Sequence, residues 1–204
     1  LLTVTGVQTC ALPISSPGIV YKHFVIVGSH VQEGNGPGGS GDVRAFNLHD
    51  GTLAWTFHSI PQKGEPNYGT WVGNAAEKRS GVNVWGFFTV DVQRGIVYIP
   101  LGNASGDLWG GDRPGNNLYS SSLVAADANT GKYLWHFQLV HHDIWDYDLE
   151  SPPALVDVKR NGRTIPAVIV FNKVGLVFIL DRVTGKPIYQ VEERPVPKSP
   201  VPRS

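Results

Sequence analysis

One sixteen-residue unit recurs along the chain and limits what it can fold into. DVRAFNLHDGTLAWTF (42–57) resembles SLVAADANTGKYLWHF (122–137), and a fainter copy appears in LVFILDRVTGKPIYQV (176–191). Aligned on Gly51, Gly131 and Gly185, the copies place Asn47, Asp127 and Asp181 four residues before the glycine and Trp55, Trp135 and Tyr189 four after it. Each copy reads as a strand, an Asp or Asn side chain closing a turn, a glycine at positive φ, and a second strand carrying an aromatic ring. Such a hairpin cannot bury both faces alone, so the copies must stack on one another.

Between the first two copies lie VNVWGFFTVDV (82–92) and GIVYIPLG (95–102), which with 121–127 and 132–140 complete a four-stranded antiparallel sheet. Four antiparallel strands per repeat make the blade of a β-propeller. A β-sandwich containing two similar hairpins is the alternative. IVYKHFVIVG (19–28) reads as one further strand. The apolar run AVIVFNKVGLVFIL (167–180) is broken by Asn172 and Lys173, and reads as two strands with a turn rather than a membrane helix. Twenty-four glycines and fifteen prolines, with no helical period, support an all-β chain. Long loops at 30–41, 59–81, 103–120 and 141–153 are where function is expected.

Seventeen basic and seventeen acidic residues cancel without forming a basic stripe, which argues against nucleic acid and anionic membranes as partners. The chain contains no methionine and reads as a piece of a longer protein. Its single cysteine, Cys10, cannot form an internal disulfide. Cys10 lies in VTGVQTCALPIS (4–15), which resembles the in-frame translation of a sequencing adapter. Residues 1–15 are therefore expected to be non-native, and 16–204 to be a partial propeller of about two full blades plus parts of their neighbours.

The richest stretch is HHDIWDYD (141–148), where acids and histidines alternate with Trp145 and Tyr147. Aromatic walls desolvate a carboxylate and make it a better proton acceptor, so Asp146 is the candidate base. Glu33, between loop glycines, and Asn103, after Gly102, offer the hard oxygen donors that Ca²⁺ prefers, although each alone is an ordinary loop residue. Trp85 in its strand is core by default, and Lys173 is a charged turn tip by default. His141 and His142 are adjacent, so on a strand their rings face opposite ways and do not share a zinc ion.

Together these residues resemble the quinoprotein dehydrogenases that use pyrroloquinoline quinone (PQQ), most closely the glucose dehydrogenase-like branch. The resemblance covers nearly all of 19–204 and rests on IVGSHVQEG, the VNVWG strand, IVYIPLGN, RPGNNLYSSSLVAADANTGKYLWHFQ, HHDIWDYDLESPP and FILDRVTGKPIYQVEERPVP. The repeated Asp-x-x-x-Gly-x-x-x-Trp unit looks like that family's tryptophan-docking motif. The resemblance implies an eight-bladed propeller, of which this chain is an incomplete segment, with PQQ near its axis and a divalent cation, usually Ca²⁺ or otherwise Mg²⁺. It implies that Trp85 lies under the quinone, that Glu33, Asn103 and Asp146 hold the metal, that Glu33, Asn103 and Lys173 also contact the cofactor, and that Asp146 is the catalytic base with Lys173 near the quinone oxygens. No adjacent cysteine pair of the alcohol dehydrogenase branch is present.

The expected reaction is oxidation of an alcohol or sugar in the periplasm, with electrons passed to a quinone or cytochrome. Membrane association is not decided by these residues, and the isolated segment is expected to be inactive. Two other classes stay open: a non-catalytic propeller scaffold of the outer-membrane assembly type, and a metal-dependent hydrolase built on 141–148. A scaffold has no reason to gather Glu33, Trp85, Asn103, Asp146 and Lys173 at one end of the axis.

Overall fold

The computed structural model describes residues 16–32, 34, 36–195, 197, 200 and 201. Residues 1–15, including Cys10, and the candidate ligand Glu33 lie outside the described residues. Eleven strands form three antiparallel sheets among the described residues. The first contains β1 (Ile19–Tyr21), β2 (Phe24–Val27), β3 (Val43–Asn47) and β4 (Leu53–Phe57) in sequence order. The second contains β5 (Thr89–Asp91), β6 (Ile96–Leu101), β7 (Ser122–Asp127) and β8 (Tyr133–Gln138), again in order. The third contains β9 (Ala154–Arg160), β10 (Arg163–Phe171) and β11 (Val177–Asp181). The described helical structure is one 3₁₀ turn (Tyr68–Thr70) and one short helix (Ala75–Lys78), both in the 59–81 loop.

The repeat dictates the shared detail of these sheets. In each copy the turn glycine donates its amide to the carbonyl of residue 47, 127 or 181, at 2.8 Å each. The Asp127 and Asp181 carboxylates accept amides across the same turns. Ala45 pairs with Trp55 and Ala125 with Trp135, and both pairings shift register at the following residue. The two hairpins thus share even their bulge.

Strand alternation explains why the middle sheet holds the assembly together. All six residues of β6 are buried. Val97, Ile99 and Leu101 join Val124 and Ala126 in a core shared with the first sheet, while Ile96 and Tyr98 join Leu123 and Ala125 in a core shared with the third. A strand with apolar side chains on both faces is the signature of a sheet covered on both sides. Trp55 reaches from the first sheet onto Gly131 of the second, and Trp135 from the second onto Gly185 of the third. This is sheet stacking by tryptophan docking, as the repeat requires.

Three expectations are corrected. The stretch 19–28 is a hairpin, turned at Lys22 and His23 with Lys22 at φ 54. Lys22 Nζ reaches Asn129 Oδ1 at 2.8 Å, so a polar pair inside an apolar run marked a turn. The strand expected over 82–92 survives only at Thr89–Asp91. Upstream, Val82 N donates to Asn103 O (2.8 Å) and Gly102 N to Asn83 O (3.0 Å), Val82 sits at φ 52, and Gly86 is pressed against the Glu150 carbonyl. That path leaves the ladder and carries Trp85 out of the core. In the third repeat the second limb forms only a bridge, Leu180 to Pro187, with Ile188 N bonded to Ile179 O. Pro187 stands where Leu53 and Tyr133 stand in the other copies and has no amide to donate.

Candidate active site

Four segments converge on one cavity of about 320 Å³. The detour before β5 supplies Trp85, the end of β6 supplies Asn103, the β8–β9 loop supplies Asp146 and Asp148, and the β10–β11 turn supplies Lys173. His30 and Val31, from the loop that continues to Glu33, also line it. Trp85, Asn103, Asp146 and Lys173, singled out from sequence across more than eighty positions, therefore share one site.

Lys173 sits on a tight turn closed by Asn172, whose Oδ1 accepts the Leu176 amide at 3.0 Å. Its backbone amide donates to Asp148 O at 3.0 Å. Its ammonium bonds Asp146 Oδ2 at 2.7 Å, lies 3.0 Å from Asp148 Oδ2, and stands 5.1 Å from the centroid of the Trp85 ring. Burial works against that charge, but the hydrogen bonds and charges of Asp146 and Asp148 outweigh it and hold the ammonium above the ordinary lysine range. Lys173 is thus a turn-tip residue whose ammonium lines the cavity.

Asp148, unremarked as a separate site residue in the sequence, is the hub of the cavity. It is buried, and its carboxylate accepts Trp85 Nε1 at 3.0 Å and the Asn103 amide at 2.5 Å besides meeting Lys173. Burial pushes its carboxyl up to about 6 against the bonds from Lys173 and Asn103, and the charge of Asp146 adds to the rise. The desolvation expected at Asp146 thus falls two residues later. Trp145 and Tyr147, whose rings are 6.0 Å apart, do not wall this cavity but line a neighbouring groove with Phe137, Leu176 and Phe178. Alternation along WDYD carried the signal: the aromatics face one way and both acids the other.

Asn103 is buried, and its Oδ1 accepts the Ala104 amide (2.8 Å) and Ser120 Oγ (3.0 Å). Holding an ion through that oxygen means giving up one of those bonds. His141 Nδ1 contacts Gln138 Oε1 (2.7 Å) and its Nε2 contacts Glu193 Oε1 (3.1 Å), whereas His142 Nδ1 meets Gly115 O (2.8 Å), so the two rings serve different partners.

The cavity offers an open flat ring, one cation and several oxygen donors, while among the described residues no group of three or more His, Cys, Asp or Glu side chains is gathered to hold a metal ion. Trp85 is 37% exposed, an indole held by its nitrogen and open toward the cavity. A lysine cation stands beside that ring, and carboxylate and amide oxygens suited to Ca²⁺ or Mg²⁺ surround it. Fold and site together define a propeller segment with a polar cavity where its sheets meet.

The chain belongs to the PQQ family: residues 3–204 match the model of the glucose/ethanol/alcohol dehydrogenase β-propeller domain. It is 38% identical over 188 residues to quinoprotein glucose dehydrogenase A of Acinetobacter calcoaceticus, covering 91% of this chain and 23% of that protein. It is 39% identical over 194 residues to the quinate/shikimate dehydrogenase (quinone) of Acinetobacter baylyi, covering 93% and 23%. Among solved structures, the quinohemoprotein alcohol dehydrogenase of Comamonas testosteroni superposes with a TM-score of 0.76 at 30% identity, over 90% of this chain and 29% of that one. A europium-containing methanol dehydrogenase superposes with a TM-score of 0.77 at 27% identity, over 86% and 33%. The chain thus spans about a quarter of the length of the curated relatives it matches.

Proposed function

We propose that the protein containing this chain oxidises a hydroxyl of an alcohol or aldose to a carbonyl. When bound, PQQ supplies the hydride acceptor and a divalent cation, usually Ca²⁺, supplies Lewis acidity. Asp146 takes the hydroxyl proton. Lys173 balances negative charge that builds at the reacting centre, an interaction strengthened where water is excluded. Trp85 provides a flat apolar floor, and Asp148 fixes its tilt through Nε1. Asn103 and Asp146, with Glu33, are the residues assigned to the cation.

The observation that carries this reading is the convergence of Trp85, Asn103, Asp146 and Lys173 from four distant segments on one cavity. A scaffold has no use for an exposed indole tethered to a buried carboxylate. Relatives named for glucose, quinate or shikimate, and glycerol share hydroxyl-bearing substrates, and one is named for quinone, which supports a quinone as electron acceptor. We further propose, from the family resemblance, a periplasmic location and a place in an eight-bladed ring. That residues 16–204 are the native part rests instead on the adapter-like run at 4–15, and the family match itself begins at residue 3. No helix among the described residues is long and apolar enough to cross a membrane.

The test is Asp146→Asn in the full-length protein loaded with PQQ and Ca²⁺, assayed by dye reduction with glucose and simple alcohols. Turnover is expected to fall by about 10²- to 10⁴-fold with PQQ still bound. Full turnover would remove Asp146 from the mechanism.

A further inference from the structure

We propose that Asp143 is a positioning residue that clamps the backbone presenting Asp146; this rests on the reading of Asp146 as the base. Asp143 is fully buried, yet it lines none of the cavity and the mechanism above does not use it. Its carboxylate accepts three hydrogen bonds: Trp145 N on Oδ1 at 2.9 Å, and Tyr147 N and Ser121 Oγ on Oδ2 at 2.9 and 2.6 Å. The two amides belong to the residues on either side of Asp146. One carboxylate thus grips the chain just before and just after the base.

Asp146 itself stands at φ 61, in the left-handed region that is uncommon for non-glycine residues, although Asp and Asn enter it more readily than others. Asp143 is held from behind in turn. Arg113, fully buried, donates NH2 to the Asp143 carbonyl at 2.5 Å and NH1 to Asn117 Oδ1 at 2.9 Å, and Asn117 Nδ2 returns to Arg113 O at 2.7 Å. Ser121 continues into β7, where its carbonyl accepts the Leu139 amide at 2.9 Å. The loop carrying Asp146 is therefore registered against the second sheet rather than left to solvent. Asp143→Asn would keep one acceptor oxygen and turn an NH₂ group toward a backbone N–H that needs an acceptor.

The experiment uses the full-length protein with PQQ and Ca²⁺. Asp143→Asn is expected to lower kcat by about 10- to 100-fold, the scale of a small misplacement of a reacting group, with PQQ affinity retained. Introduced into Asp146→Asn, it should lower the residual kcat no further, because the clamp acts through the side chain already removed. Wild-type turnover in Asp143→Asn, or an equal loss in both backgrounds, overturns the proposal. If Asp143→Asn does not fold, Ser121→Ala decides: kcat about 3- to 10-fold lower, with Tm retained and no effect in the Asp146→Asn background, supports it, and unchanged kcat overturns it. If Asp146→Asn keeps full turnover, the base reading has failed, and hydrogen exchange judges the clamp alone. Faster exchange of the Trp145 and Tyr147 amides in Ser121→Ala supports it, and unchanged protection overturns it.

Discussion

Trp55 packs so closely over Gly131 that a methyl group on that glycine would come within 2.5 Å of the indole Cε3. Trp135 and Gly185 repeat the contact one sheet on, at 2.6 Å. Both glycines also hold positive φ, at 70° and 72°.

Gly131→Ala therefore meets two penalties, a left-handed alanine and a steric overlap with the docking ring. The expected loss is about 3–4 kcal/mol in urea unfolding. Gly162→Ala is the control: it has the same positive φ but open space around the added methyl, and should cost only about 1–2 kcal/mol. Equal losses would show that docking adds nothing beyond the turn.

Trp85 combines a flat face with a nitrogen donor, and two substitutions separate them. Trp85→Phe keeps an aromatic floor but loses the bond to Asp148, and should weaken PQQ binding about 3- to 10-fold. Trp85→Ala loses both and should weaken it about 100-fold or more. Equilibrium titration of the metal-loaded apoprotein reads the difference.

Asp148 gives a pH prediction. Its folded carboxyl is raised to about 6 from the ordinary 3.8, so the native state binds more protons than the unfolded chain between those values. Stability from this group is fully present below about 4 and is lost as pH rises through about 6. Relative to Asp148→Asn, the wild-type apoprotein should lose up to about 3 kcal/mol across that window in urea unfolding at each pH. A flat difference would show that the carboxylate is fully compensated by its donors.

Lys173→Met leaves Asp146 and Asp148 without their shared cation. Turnover should fall about 100-fold for want of charge balance at the reacting centre. Calcium binding to the PQQ-free protein should tighten about tenfold, because a competing positive charge has gone. Calorimetric titration with Ca²⁺ checks the second effect independently of the first.

What was legible in the sequence follows from the range of the forces involved. The repeat fixed the hairpins because turn chemistry is local: Asp127, Gly131 and Trp135 can be read within nine residues. The unbroken apolar run of β6 also carried its burial on both faces, a signal that reading 95–102 simply as a strand did not use. The shortening of β5 was hidden, because the detour before it depends on Gly86 meeting Glu150, a contact across more than sixty residues. Asp146 was singled out by expected desolvation between aromatics, a burial that falls on Asp148 instead, whereas the role given to Lys173 came from motif resemblance. Asp148 and Asp143 were missed as separate actors because three acids in eight residues look alike until packing decides which face Lys173 and which are sealed behind the loop.

Because the cavity draws one wall from the approach to the second sheet, another from the end of β6 and a third from the third sheet's turn, the docked tryptophans act as spacers that set its calibre. Exchanging a single blade for that of a relative would preserve the fold yet reset the gap between Asn103 and Lys173. Chimeras within the family should therefore fold more readily than they turn over, and repairing the seam between blades should restore more activity than retouching the pocket.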